Sequence, residues 1–302
     1  MNLEVHLGSL TLETPLIGAS GLFGYATEYG GLIDCSLFGA IVTKTITLEP
    51  WDGNPPPRIV DVGCGLLNSI GLENVGVKAF LREKLPQIDL PCTLFVSIGG
   101  QTVDEFRRLA ALLADQPGIA AIEVNISCPN VEKGGIAFGK DAAGTRDVIK
   151  AVRAETGLPV IPKLPPLVSG IEAIAEAACE AGADALTVAN TYPGMAIDLE
   201  TEKPILGGVS GGYSGRAIRP MSVFLVWKVV GCVKVPVIAA GGIEEPEHAI
   251  EYILAGASAF EIGSAILRDL EAPARIIAGL RSFMGTRNYK RIEDFEGKAR
   301  RE

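Results

Sequence analysis

The chain has 302 residues, of which 48% are hydrophobic and 21% charged, with a formal net charge of −9. That length suits one large domain or two smaller ones, and the apolar content excludes a disordered chain. The acidic balance, with a pI of about 5.0, argues against general nucleic-acid binding.

The first residues, MNLEVHLGSLTLETPLIG, lack a basic start followed by a long apolar core, so no signal peptide is expected. No run of about 18 apolar residues follows, so no transmembrane helix is expected either. LEVHLGS and LTLETP predict a small hairpin. Short β-branched runs then recur: LIGASG from Leu16, AIVTKT from Ala40, CTLFVSIGG from Cys92 and AIEVNIS from Ala121. PVIPKLP from Pro159, ALTVANT from Ala185, PVIAAGG from Pro236 and AFEIGSA from Ala259 continue the series. Each is continuously apolar, as strands covered on both faces are. Helical patterns such as VDEFRRLAALLADQ, GTRDVIKAVRAET, GIEAIAEAACEAGA and PEHAIEYILAGA lie between them. Eight strands with intervening helices predict an α/β fold, a (β/α)8 TIM barrel spanning 1–302 as one domain. A doubly wound open sheet is the alternative.

Two connections are too long for plain crossovers, Thr45 to Pro91 after strand two and Thr191 to Val235 after strand six. In a barrel both lie on the C-terminal face, where active sites are built, and the hairpin lies at the other end. The turns after strands seven and eight hold Gly241, Gly242, Gly263 and Ser264, a usual place for a phosphate. Plain strand-to-helix turns would read the same way. Lys44 and Lys163 end apolar strands, and a lysine in such a mouth needs an anionic partner, such as a flavin ring or a substrate carboxylate. Asn68, Asn125, Asn130 and Asn190 fall at strand ends or in the long loops. Their amides would suit a flat ring with alternating N–H and C=O groups, although turn capping is the ordinary use of asparagine.

The six cysteines are far apart and make no CxxC pair, so neither a metal site nor a disulfide framework is expected. A reducing cytoplasm fits best. Cys35, Cys64, Cys92, Cys179 and Cys232 read as small buried hydrophobes. Cys128, in VNISCPN, stands apart because Pro129 and its polar neighbours place it in a loop at the mouth. With only His6 and His248 in the chain, a base beside a redox cofactor suits it better than a nucleophile in acyl transfer.

NISCPN, KTIT, NSIGLEN, PKLPP, ANT, AAGGI and IGSA occur in the order found in dihydroorotate dehydrogenases, and the chain resembles that family from LIGASG to EIGSAI. The resemblance implies a barrel with one FMN per chain that oxidises dihydroorotate to orotate in pyrimidine biosynthesis. Cysteine at 128 and the GGIAFG continuation resemble class 1, type B. That branch works as the catalytic subunit beside an iron–sulfur flavoprotein carrying FAD and a 2Fe-2S centre, and passes electrons to NAD. A homodimer core within a heterotetramer is implied.

By motif position, Cys128 would take the C5 proton of dihydroorotate while hydride leaves C6. Lys44 would touch both flavin and substrate. Asn68, Ser69, Ile70, Gly71, Leu72, Asn125, Asn130, Asn190 and Thr191 would hold the substrate. Ala19, Ser20, Lys44, Thr45, Ser97, Asn125, Lys163 and Val188 would bind flavin, with Gly215, Gly241, Gly242, Gly263 and Ser264 around its ribityl chain and phosphate. A thiol with an ordinary pKa of about 8.5 would give activity rising toward alkaline pH.

Several residues depart from the branch. Ser97 stands where asparagine is common, and Ser264 replaces a threonine but keeps the hydroxyl. Tyr192, Pro193 and Tyr213 replace residues that are usually leucine or otherwise non-aromatic, beside the expected substrate. They raise the alternative of an FMN-dependent dehydrogenase acting on another dihydropyrimidine-like ring. A non-redox barrel binding a phosphorylated metabolite explains the glycine turns, but not Cys128 with four amides.

Overall fold

Eight of the apolar runs close into one parallel barrel in the computed structural model, which describes residues 1–28, 31–127, 138–166 and 169–301. The barrel strands are Leu16–Gly18, Ala40–Val42, Thr93–Ile98, Ala121–Asn125, Val160–Leu164, Leu186–Val188, Val237–Ala240 and Ala259–Ile262. Each pairs with its neighbour in the chain, and the eighth closes on the first with Phe260 opposite Leu16. All but the edges of these strands are buried, as the absence of polar alternation requires. The open-sheet alternative is thereby removed.

Helices Val103–Leu113, Ala142–Glu155, Ile171–Glu180 and Pro246–Leu254 lie where amphipathic periodicity places them. Thr102 and Asp141 cap the first two, accepting from the N–H of Glu105 at 3.2 Å and of Gly144 at 2.8 Å. His248 has a similar structural task, because its Nδ1 accepts the N–H groups of Glu244 and Glu245, each at 3.2 Å. Its pKa is lowered, first by burial and then by Arg219 and Arg216.

The hairpin pairs Val5–Leu7 with Leu10–Leu12. Its buried Val5, Leu7 and Leu12 join the core, and its turn at Gly8 sits against Asp184, just before strand six. It therefore covers the N-terminal end of the barrel, as expected. Among the described residues no helix is long and apolar enough to cross a membrane.

The two long connections hold more structure than their sequences suggest. Arg219–Val230 is a helix inside the stretch read as the second long loop. It carries apolar residues on every face, so no periodicity marks it. Gly76–Ala79 and Phe80–Lys84 form a shorter helical segment in the first connection. Strands from both connections also meet in one antiparallel sheet, in the order Tyr192–Gly194, Gly211–Ser214, Leu66–Asn68, Ile59–Asp61. Asn68 stands opposite Gly212 in it. One further expectation is corrected: Cys35, Cys92, Cys179 and Cys232 are only half-buried, and Cys64, at the turn of Ile59–Asn68, is exposed. Two glycines, Gly63 and Gly65, flank it and bring the backbone to the surface.

Candidate active site

An open cleft of about 990 Å³, counting space continuous with solvent, lies at the C-terminal end of the barrel beside this sheet. Eleven of the residues singled out from the sequence line it. Ala19 and Ser20 come from the end of strand one, Lys163 from strand five, and Asn190 and Thr191 from the end of strand six. Gly241, Gly242, Gly263 and Ser264 come from the turns after strands seven and eight, and Asn68 and Ile70 from the first long connection.

A chain of hydroxyls and amides runs round the mouth. Ser20 Oγ donates to the carbonyl of Thr43 at 2.9 Å and lies 3.5 Å from Thr45 Oγ1. Thr45 Oγ1 is 3.0 Å from Ser97 Oγ and accepts from Asn125 Nδ2 at 3.1 Å. Asn125 Oδ1 accepts from Ser127 Oγ at 2.9 Å and from Asn190 Nδ2 at 3.4 Å, and Asn190 Nδ2 also bonds Ser127 Oγ. Asn190 Oδ1 accepts the N–H of Thr191 at 2.8 Å. Five strands thus hold one polar network in fixed orientation. Ser97 fits here as the hydroxyl that fixes Thr45.

The stretch 68–72 is strapped at both ends. Asn54 Nδ2 donates to the carbonyl and Oγ of Ser69, at 3.2 and 2.8 Å, and Asn68 Nδ2 donates to the carbonyl of Gly212 at 3.2 Å. Asn74, buried, donates to Leu72 O and Thr47 Oγ1, both at 2.7 Å. Gly71 has φ +74° and lies against Asn54, where a Cβ would come within 2.5 Å of backbone, so only glycine fits.

Beneath the cleft Lys163 meets two glutamates that the sequence reading did not single out. Lys163 Nζ donates to Glu261 Oε2 at 2.5 Å and lies 3.5 Å from Glu123 Oε2. All three side chains are buried, and Thr187 Oγ1 donates to Glu261 Oε1 at 3.4 Å. The partners of Lys163 thus include two protein carboxylates, beyond the ligand groups expected for it. Burial works against the lysine charge, but the two carboxylates outweigh it and hold the pKa above its ordinary value. Burial and Glu261 push Glu123 well above the carboxylate range. The one available signal was a glutamate in the middle of each apolar run, AIEV and AFEI.

Other expected residues stand elsewhere. Lys44 does not line the cleft; its ammonium lies over the Tyr25 ring, 5.5 Å from the centroid. Val188 is fully buried in strand six, behind the lining residue Ala189. Gly215 has φ +110° and sits where a Cβ would be 2.8 Å from Gly65, tying the two long connections together. Cys128 and Asn130 lie outside the described residues. Tyr192, Pro193 and Tyr213 do not line the cleft. Tyr213 packs over Gly65, and the Tyr192 hydroxyl lies 3.5 Å from Ser222 Oγ. Burial raises the thiol pKa of Cys35, Cys92 (to about 12), Cys179 (to about 11) and Cys232, which keeps them protonated.

The cleft fits FMN by its chemistry. The N–H groups of Gly242 and Ser264 donate to nothing among the described residues and border the cleft, ready for a phosphate. Gly242 lies 2.8 Å, by an added Cβ, from the carbonyl of Gly215, so a side chain there would close the turn. Lys163 offers an ammonium for a ring that gains negative charge. Among the described residues no group of three or more metal-ligating side chains occurs.

The sequence model described as dihydroorotate dehydrogenase matches residues 2–284. A protein of Desulforudis audaxviator named dihydroorotate dehydrogenase B (NAD(+)), catalytic subunit, is 48% identical over 300 residues, covering 98% of this chain and 97% of that one. A protein of Pelobacter propionicus with the same name is 44% identical over 299 residues, covering 98% of each. The crystal structure of an Eimeria tenella enzyme, described as DHODH in complex with ferulenol, superposes with a TM-score of 0.81 at 25% identity. It is matched over 99% of this chain and 89% of that one.

Proposed function

The chain belongs to the dihydroorotate dehydrogenase family, and from that premise we propose that it is the FMN-binding catalytic subunit of an NAD-linked enzyme oxidising dihydroorotate to orotate. The observation that carries this is the cleft itself, where an amide and hydroxyl network, a buried lysine and two glycine turns converge. FMN bound there supplies a two-electron acceptor for the substrate hydride.

The chain's own residues bind, orient and take a proton. Asn68, Asn125, Asn190 and Thr191 present amide and hydroxyl groups to a flat pyrimidine, and the Asn54 and Asn74 straps hold the 68–72 loop against it. Ser20, Thr45 and Lys163 face the flavin side, and Gly241, Gly242, Gly263 and Ser264 hold its phosphate end. Cys128, three residues beyond Asn125, is the base that takes the C5 proton of the substrate. Tyr192, Pro193 and Tyr213 are not among the residues lining the cleft, so they carry no argument for a different ring.

The partner that receives the electrons is an iron–sulfur flavoprotein carrying FAD and a 2Fe-2S centre, in a complex built on a homodimer of this chain. The name of the relatives, catalytic subunit, supports a partner of some kind. The test is colour. The purified protein should be yellow and bleach anaerobically on adding dihydroorotate. A yellow protein that does not bleach would remove the substrate, and a colourless one that takes up no added FMN would remove the cofactor.

A further inference from the structure

One lysine faces two glutamates beneath the cleft, and the three cannot all carry full charge without leaving an excess negative charge in the barrel. The distances are unequal, 2.5 Å from Lys163 to Glu261 and 3.5 Å to Glu123. The lysine therefore belongs chiefly to Glu261. The two carboxyls share that one ammonium, and ionised carboxylates can only accept, so a single cation cannot balance both. Glu123 Oε1 is also buried with no hydrogen-bond donor beside it among the described residues, an arrangement costly for an ionised oxygen. Among the described residues Lys163 and Glu261 are the charged groups that act on Glu123.

We propose that Glu123 holds a proton in the folded protein, so that Lys163 is left to pair with Glu261 and Glu123 acts as a positioning residue. The triad is then neutral overall. Glu261 accepts from Lys163 and from Thr187 Oγ1, and Lys163 is fixed by Glu261. A lysine ammonium has three donors, so one remains for the cleft. Lys163 and Glu261 line the cleft, whereas Glu123 does not. The floor under a ring that gains negative charge is thus neutral with a cation at its surface, where two ionised glutamates would make it negative.

The state of Glu123 is read from stability against pH. If it is protonated in the fold and ionised in the unfolded chain, the fold loses stability as pH rises above the ordinary value of about 4.3. The loss is about tenfold in the folding equilibrium per pH unit until the raised folded value is reached. Glutamine carries a fixed neutral amide and has no such dependence. The melting temperature of Glu123→Gln relative to the unchanged protein, as isolated, should therefore climb steadily between about pH 5 and pH 8. A difference that stays constant over that range, or falls, overturns the proposal. Glu123→Ala separates packing from charge, because it leaves a cavity but should show the same pH trend.

A second arm rests on the flavin reading. Glu123→Gln should leave the midpoint potential of bound FMN in place, whereas Glu261→Gln, which removes a real negative charge, should raise it. An equal rise in both variants overturns the neutral triad. A protein that binds no flavin would instead remove the flavin reading, and the melting arm would still decide where the proton sits.

Discussion

Lys163 enters the cleft with two carboxyls behind it, and this arrangement makes it sensitive to deletion. Lys163→Ala removes the only cation facing Glu261 among the described residues and leaves that carboxylate buried. Stability should fall by about 3–5 kcal/mol, seen as a lower denaturation midpoint. An unchanged midpoint would mean that the triad holds no net ion pair. Cys128→Ala should keep bound FMN while losing most dihydroorotate oxidation, with Cys128→Ser retaining a little. Full turnover in the alanine variant would take the thiol out of the reaction. At this scale the sequence was readable where residue type and position agree, as with Asn190 and Gly242. It was not readable for Glu123 and Glu261, because a run such as AIEV reads only as a strand. Whether its charge points inward depends on what lies across the barrel, about 98 and 40 residues away in the chain for Glu261 and Glu123.

The elements divide in the same way. Amphipathic helices and apolar strands announce themselves through their own periodicity. The Arg219–Val230 helix does not, being apolar on all sides, and neither do the three- and four-residue strands of the mouth sheet, whose partners lie in another connection. The straps between those connections predict two results. Asn54→Ala frees Ser69, so KM for dihydroorotate should rise with flavin retention unchanged. Equal loss of flavin would place the strap under the cofactor. Gly215→Ala forces a side chain toward Gly65 at φ +110° and should cost about 1–3 kcal/mol in thermal stability. A variant as stable as the parent would show that the close approach relaxes freely.

At the scale of the whole molecule, the proposed arrangement gives the acidic barrel one flavin and leaves FAD and the 2Fe-2S centre to a partner. The protein alone, reduced by dihydroorotate, should therefore fail to reduce NAD, and adding an iron–sulfur flavoprotein should restore the reaction. Rapid NADH formation without a partner would overturn the two-subunit arrangement. The mouth sheet carries a different consequence, for synthesis. Gly212 and Asn68 are 144 residues apart, and the sheet edge offered by Leu66–Asn68 finds its neighbour only when Gly211–Ser214 arrives. Closing so wide a loop is slow, and a chain made from its N-terminus presents that edge while strands three to six are still emerging. For that interval a nascent chain carries an unpaired strand edge flanked by apolar side chains, and chaperone binding should concentrate there until about residue 214 has left the ribosome.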